Sequence, residues 1–198
     1  MFISLEGIDG SGKSTQAHLL ADHLEALGHT VLRTREPGGS SGAEAIRALL
    51  VEGDPGRWSP VTELLLYNAA RRDNLERRIE PALAAGQWVV TDRWTDSTRV
   101  YQSTRGGDRA MVDAMQNLVI GREPDLTFVI DMDPDTALRR GLARPGAEDR
   151  FEQLGADFQR TVRDGYAALA RDFPDRVRIV DGDADPETVA ARVRALLP

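Results

Sequence analysis

One segment constrains this chain more than any other: Gly7-Ile8-Asp9-Gly10-Ser11-Gly12-Lys13-Ser14. It has the spacing G-x-x-x-x-G-K-[ST]. Before it lies a short apolar run, residues 2–6, and after it Ala17, Leu20, Leu24 and Leu27 recur at helical spacing. The motif needs that strand–loop–helix setting. Glycines let successive backbone N–H groups converge on phosphate oxygens without Cβ clashes. The N-terminus of the following helix adds partial positive charge. Lys13 supplies a compact charge for the β- and γ-phosphates, and the Ser14 hydroxyl is a ligand for Mg²⁺. The loop through Thr15 is therefore expected to hold the phosphates of ATP.

Composition sharpens this. Lysine and arginine number 25 together and Lys13 is the only lysine, so 24 are arginines. A guanine-reading N-K-x-D loop is thus impossible, and so is the second loop lysine of partition-type ATPases. A net charge of −7 argues against a nucleic-acid polymer as partner, because such a surface needs clustered cations. Absence of cysteine removes disulfides, thiolate metal sites and cysteine nucleophiles. No run approaches the roughly 18 apolar residues of a membrane span, and the first residues carry no basic leader. No membrane partner and a cytoplasmic location are expected. His18 and His23 stand five apart on the first helix, off one face, and suggest no metal site.

Strand patterns cover residues 2–6, 31–34, 88–91, 126–130 and 177–180. Helical patterns cover 14–27, 43–51, 60–85, 109–120, a short stretch after Pro134, 151–172 and 186–197. Alternation of this kind predicts an α/β fold: a P-loop three-layer sandwich with a five-stranded parallel sheet flanked by helices. Residues 1–198 are expected to form one domain, with a polar lid segment at about 141–150. In such sheets ligands sit at the carboxyl ends of the strands. Those ends carry the glycine-rich loop, Arg35-Glu36, Asp92-Arg93 and Asp131.

The segment Thr34-Arg35-Glu36-Pro37-Gly38-Gly39, followed by Ala43 to Arg47, resembles the T-R-E-P-G-G signature of bacterial thymidylate kinases. Leu66 to Arg71, Asp92 to Gln102 and Asp149-Arg150-Phe151-Glu152 resemble further motifs of that family, in family order. The resemblance implies phosphoryl transfer from ATP to dTMP, and a homodimer. It gives Arg35 and Arg93 the acceptor phosphate, which suits the guanidinium fork. Arg93 would also span acceptor and γ-phosphate as charge moves. Asp92 would support Mg²⁺ with Ser14. Glu36 and Asp9 would orient the acceptor end and sugar, with Arg47 close by. Tyr67 would stack on the base, Arg71 and Gln102 would bond the pyrimidine edge beside Thr98, and Tyr101 would crowd the sugar C2′ face. Many members of the family carry a basic residue where this chain has Gly10. Arg139, Arg140, Arg144 and Arg150 could supply that charge, and Arg144 aligns best with the lid arginine of the subtype that lacks the loop cation. Departures fall at the acceptor pocket: Tyr67 for phenylalanine, Trp94 for tyrosine or histidine, and Thr98 for serine. Another small nucleotide or nucleoside kinase, or a nucleotide-switched interaction protein, are the competing readings.

Overall fold

A computed structural model describes residues 1–54, 56–142 and 155–198. The apolar runs form β1 (Phe2–Glu6), β2 (Val31–Arg35), β3 (Trp88–Asp92), β4 (Leu126–Asp131) and β5 (Val177–Asp181). They make one parallel sheet in the order β2-β3-β1-β4-β5. β1 is central and buried along its whole length, as a strand covered on both faces must be. Register pairs Arg35 with Asp92 and Asp131 with Asp181, while Glu6 lies beside Val129. The charged strand ends thus gather at one edge.

Alternation along β1 divides the core. Ile3 and Leu5 face α1 (Lys13–Ala26) and α9 (Pro186–Arg194), packing with Leu20, Leu24, Val189 and Val193. Phe2 faces the other side, where it meets Trp94 and the end of α3 (Pro60–Asn74). That same side carries α5 (Thr95–Thr104) and α8 (Gly155–Asp172), which bury Val100, Tyr101, Val162, Tyr166 and Leu169 against Val129. Burying one such aliphatic or aromatic side chain is worth roughly 1.5–3 kcal/mol. Among the described residues no helix is long and apolar enough to cross a membrane.

The sheet and the helices α2 (Ser41–Val51), α3 and α9 match the patterns in the sequence. Ser40, Ser59 and Asp185 cap them by accepting from backbone N–H groups. Four differences stand out, and the first and last have a plain physical reason. The long helix expected over 60–85 widens to a π-type turn at Leu75–Ile79 before continuing as α4 (Glu80–Ala84), because Pro81 has no N–H to give. The expected helix over 109–120 is likewise α6 (Arg109–Met115) followed by a π-type turn, Gln116–Ile120. The helix after Pro134, α7 (Pro134–Leu142), takes the first two residues of the expected lid segment. α5 was not expected at all, since its β-branched and hydroxyl residues are weak helix formers. Its first N–H partner comes from another strand: Trp94 N donates to Glu6 Oε1 at 2.7 Å.

Candidate functional site

The glycine-rich loop runs from the end of β1 into α1. Gly7 (φ 138°) and Gly10 (φ 83°) need their freedom: a Cβ on Gly7 would stand 2.6 Å from the Ile130 carbonyl, and one on Gly10 1.9 Å from that of Ala137. The missing basic residue at position 10 is therefore a matter of packing, because α7 occupies the space a side chain would need. Lys13 is buried, with Nζ 3.2 Å from the Ile8 carbonyl and 3.4 Å from Asp9 Oδ1. Burial, helped by Arg93, lowers its pKa, and Asp9 and Asp92 oppose that shift. The Ser14 hydroxyl donates to Asp92 Oδ2. Asp92 Oδ1 is buried and has no hydrogen-bond partner among the described residues. A hydroxyl beside an unmatched carboxylate oxygen is a donor set that fits Mg²⁺. Beyond the loop a cleft of about 420 Å³ is lined by Gly10, Gly12, Thr15, Gln16, Arg140 and the segment from Gly182 to Pro186.

Arg93 joins this loop to the far side of the site. It adopts φ 74°, the left-handed region, at the turn from β3 into α5. Its Nη2 lies 2.5 Å from Asp9 Oδ1 and 3.1 Å from the Tyr101 hydroxyl. Tyr101 donates to the other Asp9 oxygen at 3.1 Å, and its ring lies under the guanidinium at 4.8 Å. Burial alone would raise the Asp9 carboxyl; Arg93 and Lys13 outweigh it and hold it well below the usual range. Burial raises the Tyr101 hydroxyl, which stays protonated.

The residues expected at the acceptor's base lie on α3, α5 and the loop after β2. Of the arginines on or just after α3, Arg71 is 2% exposed, while Arg72 pairs with Glu76 and Arg77 with Asp73 at the surface. Arg71 Nε meets Glu36 Oε2 at 2.7 Å and Nη2 meets Thr98 Oγ1 at 2.9 Å. Arg71 Nη1, Glu36 Oε1 and Gln102 Nε2 are buried with no hydrogen-bond partner among the described residues. Burial pushes the Glu36 carboxyl up to about 7, against the pull of Arg71. Trp94 is core: it is fully buried, edge-on to Phe2, and donates from Nε1 to the Arg122 carbonyl at 2.9 Å. Its ring also floors Arg71, 5.4 Å away. Tyr67, half-buried, stands one helical turn before Arg71. Arg35 is exposed and pairs with Glu44 at 3.1 Å. Arg47 donates to the Pro37 carbonyl, tying α2 to the Thr34–Gly39 turn.

The structure thus brings together Asp9, Lys13, Ser14, Asp92, Arg93 and Tyr101 around the loop, and Glu36, Arg71, Thr98 and Gln102 around the pocket. Arg144 and Arg150 lie outside the described residues. Arg139 and Arg140 lie on α7, bonded to Thr136 and Met132. Sequence reasoning missed Glu6, Ser97 and Tyr166, which stand directly behind Arg93. Burial, reinforced by Asp96, pushes the Glu6 carboxyl above its ordinary range. A glutamate ending an otherwise apolar buried strand was the available signal, since a buried charge must find partners. Also unforeseen was the cluster of Asp96, Arg99 and Arg176.

A glycine-rich loop heading α1, on a parallel sheet ordered β2-β3-β1-β4-β5, is the P-loop NTPase fold, and Arg93 ties that loop to Tyr101 of α5. Comparison with known proteins narrows the class. The family model for thymidylate kinase matches residues 5–193. Thymidylate kinases of Dinoroseobacter shibae and a Jannaschia species are 64% and 60% identical, over 98% and 100% of this chain and 95% of each relative. The crystal structure of thymidylate kinase from Ehrlichia chaffeensis superposes with a TM-score of 0.83 at 34% identity, covering 100% of this chain and 98% of that one. The chain belongs to the thymidylate kinase family, enzymes that phosphorylate dTMP to dTDP at the expense of ATP.

Proposed function

We propose that the chain performs its family's reaction with the residues described above, moving the γ-phosphoryl group of ATP onto the phosphate of dTMP in the presence of Mg²⁺. The observation that carries this reading is the trio of unmatched buried atoms on Arg71, Glu36 and Gln102. Arg71 pairs with Glu36 and reaches Thr98, one turn before Gln102 on α5, so two donors and an acceptor stand unmatched for a base to use. In this reading the loop amides, Lys13 and Ser14 hold the ATP phosphates, and the cleft between Gly10 and Pro186 receives the nucleoside. Ser14 and Asp92 hold Mg²⁺, which supplies charge neutralisation at the β- and γ-oxygens. Arg35 and Arg93 grip the acceptor phosphate, with Arg47 beside them. Tyr67 stacks on the base; Arg71, Thr98 and Gln102 read its edge; Glu36, Asp9 and Tyr101 surround the sugar.

Little proton chemistry is asked of the protein. A phosphate monoester loses its second proton near pH 6, so the acceptor oxygen is already charged at neutral pH. The problem is repulsion between two anions. Arg93 answers it: its guanidinium is largely buried, held above its ordinary pKa by Tyr101, Asp9, Tyr166 and Glu6 against the effect of burial, and remains a cation throughout. Asp9 keeps Arg93 and Lys13 aimed until phosphates arrive. Transfer then needs alignment and charge stabilisation.

We extend the reading to one catalytic domain acting in the cytoplasm as a homodimer. Leu49 of α2 with Val61 and Leu65 of α3 form outward apolar positions on two packed helices, and these support the dimer. The activity is tested by ADP release with dTMP, dUMP, dCMP, AMP and GMP as acceptors. Turnover is expected to be fastest with dTMP, and dUMP to follow because one methyl is worth only about 1–3 kcal/mol. Turnover with AMP or GMP but not dTMP would move the reading to another acceptor. ATP hydrolysis that no monophosphate accelerates would remove the transfer reaction altogether.

A further inference from the structure

Glu6 is fully buried at the end of β1, and each of its oxygens takes two hydrogen bonds. Oε1 accepts from Trp94 N at 2.7 Å and from the Ser4 hydroxyl at 3.0 Å. Oε2 accepts from the Ser97 hydroxyl at 2.5 Å and from the Tyr166 hydroxyl at 3.0 Å. A hydroxyl has one proton to give. Ser97 and Tyr166 have Glu6 Oε2 and, at 3.0 Å, each other to donate to, while the guanidinium accepts nothing, so toward Arg93 they present only lone pairs. Arg93 Nη1 fills them, at 2.8 Å from Ser97 Oγ and 3.3 Å from the Tyr166 oxygen. The donors therefore all point one way, from guanidinium through two hydroxyls to carboxylate.

The backbone of Arg93 is held from the same side. Its N–H donates to the Leu5 carbonyl at 2.9 Å, its carbonyl accepts from Thr91 Oγ1 at 2.9 Å, and the next N–H, that of Trp94, goes to Glu6. A left-handed non-glycine residue is strained and persists only where its surroundings over-determine it. Here one carboxylate fixes both the turn that carries Arg93 and the direction of its Nη1, leaving Nη2 turned toward Asp9 in the loop.

We propose that Glu6 is a positioning residue for phosphoryl transfer, which sets the aim of the Arg93 guanidinium through the hydroxyls of Ser97 and Tyr166. This rests on the role given to Arg93 above. Glu6→Gln is the informative change. It keeps the size and one acceptor for Trp94 N, but it offers an amide donor where the two hydroxyls need an acceptor. One hydroxyl can then turn its proton to the other's oxygen, and the second is left with no acceptor but the space shared with Arg93.

The test is steady-state kinetics on Glu6→Gln, on the double variant Ser97→Ala/Tyr166→Phe, on all three changes combined, and on Arg93→Ala. The expected loss of kcat is roughly 10- to 100-fold for Glu6→Gln, with KM for ATP changed less than about twofold. The double variant should lose a similar factor, and the combination little more, because all three groups act through one guanidinium. Parental kcat in folded Glu6→Gln overturns the proposal. So do losses that multiply in the combination, or a fall in kcat matched by an equal rise in both KM values, which would mean general loosening of the loop. Should Glu6→Gln fail to fold, the double variant, which keeps the buried carboxylate, decides by the same kcat criterion. Arg93→Ala separates the two layers. If it leaves kcat intact, the reading of Arg93 itself fails; if it abolishes turnover while Glu6→Gln does not, only the positioning role fails.

Discussion

α5 carries two buried clusters of charge on two of its faces, and they differ in how completely they are paired. On one face Asp96 receives both Nη atoms of Arg176 at 2.6 and 2.9 Å, Arg99 at 2.8 Å and the Thr127 hydroxyl at 3.1 Å. Arg99 continues to Asp113 and Glu123, and the guanidinia of Arg99 and Arg176 lie over Phe173 at 5.1 and 4.5 Å. No side-chain atom of Asp96, Arg99 or Arg176 is buried without a partner. On the other face Arg71 and Glu36 pair as closely, yet Arg71 Nη1, Glu36 Oε1 and Gln102 Nε2 are left unmatched. A buried group without a partner costs about 1–3 kcal/mol. The closed cluster holds α5 in place, and the three open atoms are the ones the proposed function gives to a ligand.

The largest expected effect is on the closed cluster. Asp96→Ala strands Arg99 and Arg176 around a buried site and should cost roughly 3–5 kcal/mol of stability, read from urea unfolding. A loss below about 1 kcal/mol would erase the contrast. Arg71→Ala should behave differently. Glu36 is already pushed up by burial and can take a proton, so unfolding free energy should fall less than for Asp96→Ala. Affinity for dTMP should drop by about 1–3 kcal/mol while affinity for ATP holds, and calorimetric titration measures both. Equal losses for the two nucleotides would contradict the assignment.

A third effect is a slope with pH. Glu36 titrates at about 7 in the folded chain against 4.5 for the ordinary group, so the folded state keeps a proton that the unfolded state releases. Its contribution to stability is complete below about pH 4.5 and is lost as pH rises to about 7. Glu36→Gln lacks that term. Stability of the glutamine variant minus that of the parent should therefore climb between pH 4.5 and 7 and level off above. A flat difference would mean that Glu36 stays ionised throughout, paired to Arg71.

The same contrast shows what a sequence can carry. The phosphate loop was legible because all of its chemistry lies in consecutive residues. The residues assigned to the acceptor come only from family motifs: local pattern does not separate Arg71 from Arg72, Arg77 and Arg78, whereas burial sets Arg71 apart. The closed cluster was invisible, because Asp96 and Arg176 are 80 residues apart and either one alone reads as a surface charge. α5 escaped for a related reason. Its residues favour no helix by themselves, and the carboxylate that receives Trp94 N stands 88 residues earlier. Glu6 escaped too: a glutamate at the end of a buried strand hints at a buried charge, but its partners belong to elements that only the fold brings together.

The central claim is that the unmatched atoms on α3, α5 and the turn after β2 are there for the base and sugar of dTMP. A crystal structure of the chain with dTMP tests it most directly. The account predicts hydrogen bonds of about 3 Å from Arg71 Nη1 and Gln102 Nε2 to the pyrimidine edge, with Tyr67 against its face and the Asp96 cluster unchanged. A base seated elsewhere, with Arg71 Nη1 and Gln102 Nε2 still unpaired, would contradict it.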